Sequence, residues 1–219
     1  MPQTHPIPNL VIFDCDGVLV DSETVSNQVM VDSLARYGLT LTLQACMDAF
    51  VGSTMSAAMD KARQMGAVLP SGWIDEVYEE TYTALRAGVP LVPGISDVLD
   101  LLDGRGIPYC VASNGSEAKM KITLGQNGLW ERFHPAIFSA HSLGVAKPDP
   151  GIFLAAASHF DVQARDCVVI EDSPSGTLAA ARAGMRCMGF AALTPAERLE
   201  AHGAESFRDM RELPALLGL

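Results

Sequence analysis

With 219 residues, 48% of them hydrophobic, the chain is long and apolar enough to bury a substantial core, which excludes a disordered segment. Its formal net charge of −11 excludes a surface built to neutralise nucleic-acid phosphates. Any phosphate-bearing ligand must then be held by a local positive device, either a metal ion or a placed lysine.

Leu10–Phe13 is the first element, an apolar strand that ends at Asp14. Residues 21–90 then read as helices. Asp21 or Ser22 caps the first of them, which closes at Tyr37-Gly38, and others are expected at 43–49, 54–66 and 72–87. So long a stretch without a strand is no loop, and 21–90 is expected to form a small helical cap domain packed over the site. Pro-Leu-Val-Pro-Gly at 90–94 is the return hinge. Residues 1–20 and 91–219 form the core domain, with further strands at 109–112, 136–138, 167–170 and Arg186–Phe190. Short apolar runs alternating with amphipathic segments predict an α/β fold on a largely parallel sheet. No apolar run approaches the roughly 20 residues of a membrane span. The start Met1-Pro2-Gln3-Thr4-His5-Pro6 lacks the pattern of a secretory signal. Five scattered cysteines without a CxxC pair read as free thiols, so a cytoplasmic protein is expected.

Three strands end in polar residues: Asp14, Ser113 and Glu171. In open parallel sheets ligands bind outside the carboxyl ends of the strands, so these residues are expected to converge on one crevice. Asp14-Cys15-Asp16-Gly17 delivers two carboxylates around a turn that glycine permits. Two acids this close repel unless a cation lies between them or one is protonated. Asp14 can attack phosphorus while Asp16 gives a proton to the leaving oxygen and later takes one from water. The same residues also make an ordinary turn after a strand, so the pair gains meaning only from its company.

Ser113-Asn114-Gly115 offers a hydroxyl and backbone N–H groups ahead of a helix that starts near Ser116 or Glu117, a place suited to phosphoryl oxygens. Lys147-Pro148-Asp149-Pro150 holds a lysine on a proline-stiffened loop, where its ammonium can neutralise Asp14 and a phosphate together. Glu171-Asp172 supplies hard oxygen ligands of the kind Mg²⁺ takes. Ser173 and Pro174 make a helix start that Gly184 stops. Phosphoryl transfer needs these parts, because positioning and charge neutralisation supply most of its catalysis.

Asp14-Cys15-Asp16-Gly17-Val18-Leu19-Val20-Asp21-Ser22, Ser113-Asn114, Lys147-Pro148 and Glu171-Asp172-Ser173 resemble the four motifs of the haloacid dehalogenase-like hydrolases. The resemblance implies a Rossmann-like core with a helical cap inserted after the first strand. It also implies Mg²⁺ bound by Asp14, the backbone carbonyl of Asp16 and Asp172, with Glu171 near the metal. Catalytic roles then fall to Asp14, Asp16, Ser113 and Lys147. Gly17, Asn114 and Gly115 are candidates for substrate binding, as are Ser53 and Thr54 at the family's cap-loop position. The chain looks like the β-phosphoglucomutase-like branch. Ser113-Asn114-Gly115 and Lys119-Met120 look similar to bacterial 6-phosphogluconate phosphatases.

In dehalogenases the second aspartate is missing, and in phosphonate hydrolases it is alanine, so Asp16 points to a phosphatase or phosphomutase. Two departures weigh against a mutase: Gly52-Ser53-Thr54-Met55 has methionine where the mutase arginine would fall, and Ser26 stands near the place of the hinge histidine. The expected partner is a small phosphorylated metabolite, with neither nucleic acid nor membrane. A phosphomutase and a phospho-accepting signalling receiver are the competing readings. The proton-shuttling Asp16, the helical insertion and the acids after the lysine argue against the receiver.

Overall fold

Leu10–Phe13 places four apolar residues in succession, with β-branched Val11 and Ile12 suited to an extended chain covered on both faces. In the computed structural model, which describes residues 6–50 and 55–219, this segment is strand β1 and all four side chains are buried. It pairs in parallel with β2 (Tyr109–Ser113) on one side and β4 (Cys167–Glu171) on the other. With β3 (Ile137–Ser139), β5 (Arg186–Phe190) and β6 (Glu205–Phe207) the sheet is parallel throughout, in the order β3-β2-β1-β4-β5-β6. The chain winds outward from β1 to β3, then returns to the far side of β1 as β4. That reversal opens a crevice at the carboxyl ends of β1 and β4, where doubly wound sheets bind ligands.

Register aligns the ends that matter. Phe13 pairs with Val111 of β2 and Ile170 of β4, and the Asp14 N–H donates to the Ile170 carbonyl at 2.9 Å. Glu171 therefore stands level with Asp14. Strands β2 and β4 each run one residue past their apolar stretch, so Ser113 and Glu171 are the last residues of their strands and are buried. Strand β3 sits one residue later than 136–138, because the Ile137 N–H turns back to the Pro135 carbonyl at 3.0 Å and keeps Ala136 in the turn. Strand β6 has no counterpart in the sequence reading. Glu205 and Ser206 interrupt any apolar pattern, and only pairing along β5 extends the segment.

Leu10 and Ile12 share one core with Ile152, Phe153 and Ala156 of the Gly151–His159 helix and with Ala179 and Ala180 of the Pro174–Ala183 helix. Burying each such aliphatic side chain contributes about 1.5–3 kcal/mol. Phe13, one position along and so on the opposite face, meets Phe133 and Tyr109 edge-on at 6.4 and 6.3 Å between ring centres.

The chain divides into two compact units, Met1–Asp21 with Pro90–Leu219, and Ser22–Val89. In the first, the two crossing strands of chain are tied together: the Asp21 N–H donates to the Pro90 carbonyl at 2.9 Å and the Val92 N–H to the Leu19 carbonyl at 3.0 Å. The second unit is all helix among the described residues, with Ser22–Arg36, Leu43–Phe50, Met55–Gln64 and Trp73–Ala87. Its core gathers Leu34, Cys46, Phe50, Ala62 and Val77 with Trp73, whose indole N–H donates to the Ser33 hydroxyl at 2.9 Å. That bond satisfies the one polar group the buried ring carries. Among the described residues no helix is long and apolar enough to cross a membrane.

Candidate active site

Asp14 follows β1 directly and is only 7% exposed. A carboxylate so placed needs a cation, and Lys147 supplies it from the loop that leads into the Gly151–His159 helix. The Lys147 ammonium lies 2.5 Å from Asp14 Oδ1 and 2.5 Å from Glu171 Oε1, and the lysine is itself 6% exposed. Burial is the strongest influence on Asp14 and pushes its carboxyl up to about 7; Glu171 and Asp16 act in the same direction, and Lys147 opposes them. Burial alone would lower Lys147, but Asp14 and Glu171 outweigh it and hold the ammonium well above the ordinary lysine range. The lysine therefore stays charged.

Two further residues fix this lysine, one through its main chain and one through its ammonium. Asn114, just past β2, accepts from the Lys147 N–H at 2.8 Å through Oδ1 and donates to the Lys147 carbonyl at 3.3 Å through Nδ2. Glu171 uses its other oxygen, Oε2, to accept from the N–H and the hydroxyl of Ser173 at 3.0 and 2.8 Å. Ser173 also caps the Pro174–Ala183 helix by accepting from the Gly176 N–H at 3.0 Å. The helix start, the glutamate and the lysine thus form one chain of hydrogen bonds.

Gly176 carries a clear expectation, since a methyl group there would overlap the Glu171 carboxylate. Gly176→Ala is expected to displace Glu171 from Lys147 and to lower stability by about 1–3 kcal/mol, read from the midpoint of a urea transition. An unchanged midpoint would show that the carboxylate is not held as described.

Asp16 lies on the same loop as Asp14 but meets a different cation, the Lys119 ammonium, at 2.8 Å. Gly17 has φ 76°, a left-handed conformation that glycine adopts without strain, and its N–H closes the loop on the Val20 carbonyl at 2.8 Å. Any side chain at Gly17 would strike the Asp172 carboxylate, which places Asp172 against the Asp14–Gly17 loop. Ser113 is buried, and its hydroxyl accepts from the Gly115 N–H at 2.9 Å, while Ser139 donates to the Gly115 carbonyl at 2.8 Å. The Gly115 peptide is thus fixed at both ends.

The fold therefore brings Asp14, Asp16, Gly17, Ser113, Asn114, Gly115, Lys147, Glu171 and Asp172 to one end of the sheet. Ser53 and Thr54 lie outside the described residues. Lys119 carries more of the site than the sequence reading gave it, which noted it only as a likeness. Its place three residues after the helix-capping Ser116 was the available clue.

The haloacid dehalogenase-like hydrolase family model matches residues 11–190. The chain is 27% identical over 208 residues to the 6-phosphogluconate phosphatase of Escherichia coli, covering 94% of this chain and 93% of that protein. Among solved structures it is similar to a conserved haloacid dehalogenase-like protein of unknown function from Agrobacterium tumefaciens, with TM-score 0.88 and 34% identity over 95% of this chain and 97% of that one. A family hydrolase from Deinococcus radiodurans, solved with bound phosphate and sodium, also gives TM-score 0.88, at 29% identity over 97% of this chain and 96% of that one. The chain belongs to the haloacid dehalogenase-like hydrolase family and is a phosphoric monoester hydrolase.

Proposed function

We propose that the chain hydrolyses the phosphate monoester of a small sugar or sugar acid, with the phosphoryl group carried on Asp14 between two steps and with Mg²⁺ as cofactor. The observation that carries this reading is the division of cations, with Lys147 on Asp14 and Lys119 on Asp16. Two neighbouring carboxylates held by separate lysines can take separate roles. The phosphatase of Escherichia coli named above supports the sugar-acid class.

The residues fit a magnesium ion. Asp14, Asp16, Glu171 and Asp172 against Lys119 and Lys147 leave an excess of two negative charges, and a phosphate ester adds more. Asp172 lies against the Asp14–Gly17 loop. Asp14, the Asp16 carbonyl and Asp172 would hold the ion. Among the described residues no three acidic, histidine or cysteine side chains form a ready metal cluster. The fit therefore rests on two carboxylates and a carbonyl, a partial set that Mg²⁺ accepts alongside water and phosphate oxygens. Glu171 is outside that set, since both its oxygens are engaged by Lys147 and Ser173. When bound, the ion neutralises charge on the phosphoryl oxygens.

The chain's own residues do the rest. An Asp14 oxygen attacks phosphorus as the ester P–O bond breaks, and Asp16 gives its proton to the departing oxygen. Asp16 then takes a proton from the water that attacks the aspartyl phosphate, which frees Asp14 and inorganic phosphate. Ser113 offers its hydroxyl hydrogen, and Lys147 its charge, to the phosphoryl oxygens.

A panel of sugar and sugar-acid phosphates, scored for free phosphate and for isomerised ester, tests the reading. Multiple turnover that depends on Mg²⁺ and stops with EDTA is expected for at least one member and for p-nitrophenyl phosphate. A single stoichiometric burst would point to a receiver, and isomer without free phosphate to a mutase.

A further inference from the structure

Lys147 is committed to Asp14 and Glu171, each at 2.5 Å, so it is not the partner of Asp16. Lys119 is that partner, with its ammonium 2.8 Å from Asp16 Oδ1. The two side chains are 22% and 17% exposed, which removes much of the solvent screening that weakens surface pairs. Lys119 is also placed by its backbone. It is the third residue of the Glu117–Gly125 helix, and its N–H donates to the capping hydroxyl of Ser116 at 3.2 Å.

The second oxygen of Asp16 borders Gly115. Oδ2 lies 3.4 Å from where a Cβ on Gly115 would stand, and the Ser113 hydroxyl lies 3.2 Å from that same point. With Oδ1 held by Lys119, Oδ2 is turned to the side on which Ser113 stands. The Lys119 side chain borders the same point, with its Cδ 3.7 Å away.

We infer that Lys119 is a positioning residue for Asp16, which by holding Oδ1 aims Oδ2 at the oxygen of the departing alcohol. The inference rests on the phosphatase reading. As the Asp14 O–P bond forms, the ester P–O bond breaks and its electron pair goes to the leaving oxygen. The proton on Asp16 Oδ2 passes to that oxygen, and Asp16 ends as a carboxylate beside the Lys119 ammonium. An oxygen that leaves readily as an anion needs little of that proton, and one that leaves poorly needs it fully.

Two esters of nearly the same shape separate these cases: p-nitrophenyl phosphate, and phenyl phosphate, whose phenol ionises near the tyrosine value of about 10. For each, kcat/KM reports the steps up to release of the alcohol. In the full chain with Mg²⁺, Lys119→Met is expected to lower kcat/KM on phenyl phosphate roughly 10–100-fold more than on p-nitrophenyl phosphate. Lys119→Arg is expected to restore most of the loss. The ratio of the two esters is internal to each variant, so a general loss of folded protein leaves it unchanged. An equal fall on both esters, or no fall on either, overturns the inference. If the unsubstituted chain turns over neither ester, the phosphatase reading falls and takes the inference with it.

Discussion

Asp14→Asn is expected to lower kcat on every phosphate ester by about 10⁴–10⁶-fold, because an amide oxygen is a poor nucleophile and Asp16, the other carboxylate of this loop, is held by Lys119. Asp16→Asn is expected to cost less, about 10²–10⁴-fold, and to let the aspartyl phosphate accumulate, since water then lacks its base. Near-parental turnover by Asp14→Asn would remove Asp14 from the nucleophile's role. The same variant has a signature in stability. Asp14 is raised from 3.8 to about 7, so the folded chain holds that proton more tightly than the unfolded chain does. Its contribution is complete below about pH 4 and is lost as pH rises through about 7. Asparagine carries no such proton. With EDTA present, the stability of Asp14→Asn relative to the parent is therefore expected to grow from pH 4 to pH 7, as measured by urea unfolding.

Lys147→Met is expected to be the most destabilising single change in the site, by about 3–5 kcal/mol, because it leaves Asp14 and Glu171 buried without their cation. For a chain of this size that corresponds to a fall of roughly 6–20 °C in Tm. Activity is expected to vanish with it. Adding Glu171→Gln to Lys147→Met removes one of the stranded charges, so the double variant is expected to regain part of the loss. A Lys147→Met chain as stable as its parent would mean that the three groups do not form a buried cluster.

The sheet was legible where apolar runs are short and sharply bounded. Leu10–Phe13 and Arg186–Phe190 have the limits their sequences suggest: the first is apolar and buried throughout, and the second is buried beyond its leading, half-buried Arg186. Glu205–Phe207 was illegible, since an edge strand with one apolar residue owes its extension to a neighbour. The crevice was legible through Asp14, Ser113 and Glu171, which all stand where strands end. What each side chain touches was not. Asp16 and Lys119 lie 103 positions apart, and only the pairing of β1 with β2 joins them. Asn114 and Lys147 are 33 positions apart, and nothing local marks the asparagine as a partner of that lysine's main chain.

That last contact has a consequence for how residue 147 can be changed. The Asn114 side chain ends in the same pair of groups as a peptide unit, and it reads only the N–H and carbonyl at position 147. The path of the loop is thereby encoded at 114, and the charge it delivers at 147. A substitution at 147 alters what the loop delivers without erasing where it delivers it, which makes that position a socket into which cations of different reach can be fitted and compared.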